Sequence, residues 1–586
     1  MSGTPVPAPR IVSARIPAMN PRASRPAAIA VVLLLVVAVA APADPSAQAT
    51  RTGAVASAAP QATEAGVEIL RAGGNAVDAA VATALALAVV HPRAGNLGGG
   101  GFAVVRVDGV VSTLDFRETA PAAATHDMYL GVDGRAVPER STVGPLAAGV
   151  PGSPAGLYEL HRRLGRLPWG RCVLPAVSLA RDGFVVTPLV HKNLRDAREL
   201  LARFPETAAV WLPGGAPPAV GSTVRLPRLA AALERYGKRG PEALTRGRAA
   251  RAIERASRRH GGILTEADLA SYRPVWREPL RFEAFGWQMA SMDLPSSGGV
   301  ILAQTCALVE RLGLAGEPAT SAGRMHSLAE IWRRAFADRI LLGDPAGSAA
   351  TAAELLSAEW LDRRAASVDR SAATPSSEVR PWPGDPPDGP ADTTHLSVLD
   401  GEGNLVALTT TLNGNFGCGL LVPELEILLN NEMDDFTVAP GQPNLFGLVQ
   451  GEANAVVTGR RMLSSMTPAV AWRGDERLAV GAAGGPRIIT ATAQVLLGVA
   501  LDGRPLAEAM AAPRVHHQWL PDRLLVEPVA DRSVVGALER LGHRVEPREQ
   551  IAEVHAVARR ADRTVEAAAD PRAGGTGVVI ELPVQQ

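Results

Sequence analysis

The chain has 586 residues, 47% of them apolar, with 59 basic side chains against 59 acidic ones. That balance supplies no basic stripe for a nucleic acid. Three cysteines, Cys172, Cys306 and Cys418, lie far apart, cannot all pair and form no C-x-x-C, which argues against structural zinc. All the basic residues but Lys192 and Lys238 are arginine; neither lysine follows a Ser at three positions and no G-x-S-x-G occurs, so two common serine-nucleophile arrangements are absent.

Residues 1–25 carry Arg10, Arg15, Arg22 and Arg25 without an acid, and an apolar run follows from Ala27 to Ala41. Fifteen residues are too few for a span, which needs about 20, and suit the core of a signal peptide. Ala47-Gln48-Ala49 offers the cleavage site, so 1–49 reads as a signal peptide and the protein as periplasmic or secreted. From Ala65 to Val90 small apolar residues predict two helices broken at Gly73-Gly74, the second starting near Asn75 and buried on nearly every face. Gly98 to Gly101 lacks the Lys and Ser/Thr of a phosphate loop and reads as close backbone packing. Phe102–Val105 and Val110–Phe116 form a predicted hairpin that delivers Arg117. Residues 145–270 read as mostly helical, Ser296 as an N-cap, and Met325–Leu342 as a helix stopped at Gly343-Asp344-Pro345.

The stretch Asp392-Thr393-Thr394-His395 carries the strongest functional signal. Pro381 to Pro390 cannot form a helix or sheet interior, so an exposed linker feeds Thr393. A chain cut before Thr393 would begin with a threonine whose amine, with a reference pKa of about 7.7 to 8.0, sits beside its own hydroxyl. Alternation from Leu396 and the strand-forming run Asn404 to Thr411 predict an antiparallel hairpin around Asp400-Gly401-Glu402-Gly403. Pairing Leu399 with Asn404 would set Thr393 opposite Thr410, one residue from Thr411. Threonine pairs are ordinary in strands, so spacing alone does not make this a site.

Downstream, Glu432, Asp434 and Asp435 follow the largely hydrophobic segment Leu425–Leu429, at a strand end where sites gather. Ser464-Ser465 and Gly484-Gly485 are pairs common in turns, although glycines also let backbone N–H groups approach an oxyanion. His516-His517 does not share a helix face and reads as packing rather than as a metal pair.

Eight blocks in order resemble the γ-glutamyltranspeptidase (glutathione hydrolase proenzyme) family of N-terminal nucleophile hydrolases. They are GGNAVDAAVA (73–82), LDFRETAP (114–121), PSSGG (295–299), TTHLSV (393–398), LLNNEMDDF (428–436), LSSMTP (463–468), AAGGPRII (482–489) and ADPRAGG (569–575). The resemblance implies a four-layer αββα sandwich built from a large subunit, 50–392, and a small subunit, 393–586, of one precursor. It implies self-cleavage between Asp392 and Thr393, after which Thr393 is nucleophile and base, Thr411 orients it, and Gly484 and Gly485 form the oxyanion hole. Arg117 would hold the substrate α-carboxylate with Ser464 and Ser465, and Glu432, Asp435 and Asn413 its α-ammonium. His395 would be structural. The reaction would pass the γ-glutamyl group of glutathione or a related compound to water or to an amino acid or dipeptide, with no metal or organic cofactor.

Pro440-Gly441-Gln442-Pro443-Asn444 resembles the lid loop of bacterial members, with Phe446 where many have Tyr. Losing the phenol removes a lid hydrogen bond and leaves gating open. Three alternatives stand beside this reading: a cephalosporin or glutaryl acylase, a poly-γ-glutamate depolymerase, and an inactive exported binding homologue. A glutaryl group has no α-ammonium and no use for both Glu432 and Asp435.

Overall fold

The computed structural model describes residues 51–380, 393–529 and 531–582, all within one unit formed by residues 50–586. The expected signal peptide, the proline-rich linker and Asp392 lie outside the described residues.

Strands β1 (Arg51–Ser57), β2 (Gly100–Val107), β3 (Val110–Asp115) and β4 (Val275–Arg277) join β7 (Thr394–Leu399), β8 (Leu405–Thr411) and β13 (Thr576–Leu582) in a seven-stranded antiparallel sheet, ordered β13-β1-β7-β8-β2-β3-β4. A six-stranded antiparallel sheet contains β5 (Leu280–Ala284), β6 (Trp287–Ser291), β9 (Ala469–Arg473), β10 (Glu476–Ala483), β11 (Glu553–Arg559) and β12 (Val565–Ala569), ordered β12-β11-β10-β9-β6-β5.

Period-two alternation gives each sheet two working faces. In the first sheet Val55, Val398, Val406 and Val105 are successive cross-strand partners and meet helices α1 (Pro60–Arg71) and α2 (Ala76–Val90). The adjacent row, Ala56, Ala407 and Val104, turns to the second sheet. That sheet is covered on its far side by α3 (Ser297–Arg311), α4 (Ala322–Asp338) and α5 (Arg487–Ala500). Helices, sheet, sheet and helices thus form the expected αββα sandwich.

Local signals were legible where chemistry forces them. Asn75 caps α2 by accepting from Val77 and Asp78 N–H, while Asp78 returns a bond to Asn75 N–H, and α2 is buried almost all round. Ser296 caps α3. The helix expected over 325–342 runs from Ala322 to Asp338 and tightens into a 3₁₀ turn at Arg339–Leu341. The four-glycine loop packs as tightly as expected: a Cβ on Gly98, Gly99 or Gly101 would lie 2.0, 2.0 or 2.2 Å from the carbonyl oxygens of Leu428, Thr411 and Thr409. His516 and His517 bond separately, to Thr490 and Gln518 and to Asp522.

The hairpin register differs from the expected one. Leu399 pairs with Leu405 and Thr394 with Thr410, so one further step sets Thr393 opposite Thr411. Asn404 belongs to the turn, because Asp400 Oδ1 accepts from the N–H groups of Glu402 at 2.9 Å and Asn404 at 3.0 Å. Its Oδ2 accepts from Asn404 Nδ2 at 2.8 Å and from Ala76 N–H at 3.0 Å, which ties the turn to α2.

Candidate active site

The sandwich has two ends, and contacts between the sheets distinguish them. A Cβ on Gly403, in the turn after β7, would lie 3.0 Å from the guanidinium of Arg559, which pairs with Arg477 near the start of β10. A Cβ on Gly481, near the close of β10, would meet the His395 ring at 2.4 Å. The two strands therefore run in opposite senses, and Thr393 at the head of β7 shares its end of the sandwich with Gly484 and Gly485 beyond β10. Thr411 and Gly100 pair at this same end, and Asp115 pairs with Phe102 beside them.

Thr393 is 5% exposed, and period two turns it, with His395 and Thr411, toward the second sheet. The His395 ring bonds Thr409 Oγ1 at 2.8 Å and Ser397 Oγ at 3.0 Å, and burial holds its pKa well below the ordinary histidine value. It is a neutral packing group behind Thr393. Gly484 and Gly485 have φ of +139° and +61°, values that favour glycine, and a Cβ on Gly484 would press on Ala552 at 3.2 Å.

Arg117 leaves the end of β3 and is held by its own backbone: its N–H donates to Asp115 Oδ1 at 2.9 Å and its carbonyl accepts from Tyr272 at 2.7 Å. Its side chain is buried and meets Glu432 at 2.5 Å, Asp435 still more closely, and Glu118 at 3.7 Å. Burial alone would lower the guanidinium, and the three carboxylates reverse that and raise it. Burial also raises Glu432 and Asp435, with Arg117 opposing the shift in both; the Thr411 hydroxyl further eases Glu432, and Arg339 further eases Asp435. One buried guanidinium is thus shared by three carboxylates, an arrangement that offers a cation to a carboxylate and anions to an ammonium.

Asn413, at φ +75°, donates from its N–H to Thr411 Oγ1 at 2.7 Å and from Nδ2 to the Asn431 carbonyl at 3.0 Å, joining the hairpin to the acidic turn. Ser464 and Ser465 lie two and three residues beyond Met462, whose carbonyl accepts from Arg117 Nε at 3.5 Å. The PSSGG turn holds them, since Ser297 Oγ donates to the Ser464 carbonyl at 2.8 Å. The structure thus brings Thr411, Arg117, Asn413, Glu432 and Asp435 into one cluster, with the serine pair adjoining Arg117 and the glycine pair at the same end.

Two further charged groups stand near this cluster. Glu118 is fully buried beside Arg117, and burial pushes it up to about 8. In the sequence its signal is a second charge directly after Arg117, just past the end of β3. Arg339, also buried, donates to Ser297 Oγ and Gln450 Oε1, each at 3.0 Å, and Gln450 Nε2 donates to the Asp435 carbonyl at 2.9 Å. It links the serine and acid sides, and only the fold brings residue 339 there.

Residues 62–580 match the family model described as Gamma-glutamyltranspeptidase. The glutathione hydrolase proenzyme of Escherichia coli is 41% identical over 526 residues, 89% of this chain and 90% of that protein. That of Pseudomonas aeruginosa is 41% identical over 560 residues, 94% of this chain and 98% of that protein. Among solved structures, the cephalosporin acylase from Bacillus halodurans superposes with a TM-score of 0.80 at 27% identity, covering 90% of this chain and 96% of that one. The gamma-glutamyltranspeptidase from Pseudomonas nitroreducens complexed with L-DON gives 0.53 at 39% identity over 55% of this chain and 96% of its own. With the family model spanning nearly the whole sandwich, and two relatives at 41% identity matched almost end to end, this chain belongs to the γ-glutamyltranspeptidase family.

Proposed function

We propose that this chain is a self-processing γ-glutamyltransferase and glutathione hydrolase in which Thr393 is the nucleophile. Thr393 Oγ attacks the Asp392 carbonyl carbon, the peptide C–N bond breaks, and an ester replaces the amide. Water hydrolyses that ester, leaving 50–392 as the large subunit with a new carboxyl end and 393–586 as the small subunit with a free Thr393 amine. The amine takes the hydroxyl proton as Oγ attacks the γ-carbonyl of the donor. Backbone N–H groups of Gly484 and Gly485 stabilise the oxyanion, Thr411 orients Thr393, and the proton passes to the departing amine. Water or the amine of an amino acid or dipeptide then releases the γ-glutamyl ester. No step in this scheme calls on a metal or an organic cofactor.

The observation that carries the reading is Arg117 paired with Glu432 and Asp435 in a buried cluster at the end of the sandwich that holds Thr393. Its guanidinium fork suits a carboxylate and its acid partners an ammonium, with Ser464, Ser465 and Asn413 completing the contacts. The acylase likeness supports a second reading, but a glutaryl substrate would take Arg117 away from the acids and give them no cation in return. Leaving such a charge buried and unpaired costs about 3 to 5 kcal/mol. A poly-γ-glutamate donor shares the scissile bond and is distinguished by assay. An N-terminal signal peptide would place the enzyme in the periplasm or outside the cell; no helix among the described residues is long and apolar enough to cross a membrane.

Intact-mass and N-terminal analysis of the purified protein and of Thr393→Ala tests the proposal, with γ-glutamyl-p-nitroanilide turnover read alongside. The expected result is two chains, the smaller beginning at Thr393, with cleavage and turnover both lost in the variant. A single uncut, inactive chain in the unmutated protein would favour the binding homologue.

A further inference from the structure

Three carboxylates follow Asn431, and the γ-glutamyl reading uses two. Asp434 is as buried as the others, yet it turns away from Arg117. Its Oδ1 accepts from Ser141 Oγ and its Oδ2 from the backbone N–H of Leu445, each at 2.7 Å. Ser141 lies on the short helix Pro138–Thr142, and Leu445 on the segment that carries the lid-like sequence.

That segment folds around Asn444, whose Oδ1 accepts from the N–H groups of Phe446 and Leu448 at 3.0 and 3.1 Å. Asn444 Nδ2 donates to Asp435 Oδ1 at 3.2 Å, so the tip rests directly on a proposed substrate-binding carboxylate. Between the tip and the 136–142 wall is a cavity of about 320 Å³, lined by Pro138, Thr142, Val438, Gln442 and Pro443 among others. Apolar packing does not close that side, and Asp434 spans it. Phe446 is buried in the core and brings no hydroxyl, while its carbonyl accepts from Gln518 at 3.2 Å.

We propose that Asp434 is a positioning residue that latches the 437–449 segment over the donor pocket by bridging Ser141 to the Leu445 N–H, and so governs donor retention without touching the donor. This rests on the γ-glutamyl reading of the pocket. The charged neighbour facing Asp434 is Asp435, and the neutral Tyr129 phenol lies close by; Arg140 is turned to the Leu130 carbonyl and Glu139 to Arg203. Both bonds at Asp434 favour its ionised form, while burial pushes it up to about 7. Protonation removes an acceptor and loosens the latch on the acid side of neutrality.

Hydrogen exchange across 437–449, with kcat and KM for γ-glutamyl-p-nitroanilide, tests this in the unmutated protein, Asp434→Asn and Ser141→Ala. Expected are exchange roughly tenfold faster in Asp434→Asn, a smaller rise in Ser141→Ala, and an increased KM with a lesser change in kcat. After correction for intrinsic rates, exchange in the unmutated protein should quicken from pH 8 to pH 6, and that response should vanish in Asp434→Asn. Unchanged exchange and KM in both variants would overturn the latch. Absence of turnover in the unmutated protein would sink the donor reading instead, with exchange still deciding the latch.

Discussion

Arg117 is surrounded by more acid than one guanidinium balances, which makes it a stabilising residue as well as a proposed binding one. Replacing it by Met leaves Glu118, Glu432 and Asp435 buried without their shared cation. The expected loss is about 3 to 5 kcal/mol, read as a lower denaturation midpoint, together with loss of turnover. Glu118 supplies part of the pH dependence, alongside the other buried acids of the cluster. Its folded pKa of about 8 lies above the ordinary 4.5, so between those values the folded chain keeps a proton that the unfolded chain has released. The stability it contributes is fully present below about pH 4.5 and is lost as pH rises through about 8, at up to about 1.4 kcal/mol per pH unit. Denaturant titrations of single-chain Thr393→Ala at pH 5 to 8 should show that decline, and adding Glu118→Gln should flatten part of it; an unaltered slope would refute the assignment.

At the scale of elements, the β7–β8 hairpin shows what a one-residue register step does. Opposed residues share a face, so the expected pairing would have given Thr393 the company of Thr410, whereas the observed one gives it Thr411. Thr410 faces the helices instead, donating to the Gly100 carbonyl at 2.8 Å. The hairpin itself was readable from alternation and strand formers. Its register was not, because it depends on Asp400 drawing Asn404 into the turn and tying it to α2, a contact across 324 residues. The four-glycine loop presses on this hairpin from the other side. Gly99→Ala should push back the Thr411 carbonyl, now 2.0 Å from where the Cβ would sit, and slow both processing and turnover by about 100-fold or more, the scale set by a 1 Å misplacement of reacting groups. Time courses of precursor cleavage would measure this, and normal maturation would refute it.

For the whole molecule, the proposed cut falls between strands that remain neighbours. In the first sheet β1 from upstream lies between β13 and β7 from downstream, and β8 pairs with β2; in the second, β9 pairs with β6. The processed subunits should therefore elute as one species in size-exclusion chromatography and separate only under denaturant, whereas dissociation in native buffer would contradict the interleaving. The sequence by itself determined the layered class, the caps of α2 and α3, the close-packed glycines, the family, and the residue types a γ-glutamyl pocket needs, because each is written in local pattern or in motif. Only the tertiary structure decided that Arg117 meets Glu432 and Asp435 directly, that Glu118 and Arg339 stand beside them, and that Asp434 turns to Leu445. Those contacts join residues far apart in the chain, and the burial that shifts their protonation arises only when two sheets close over them.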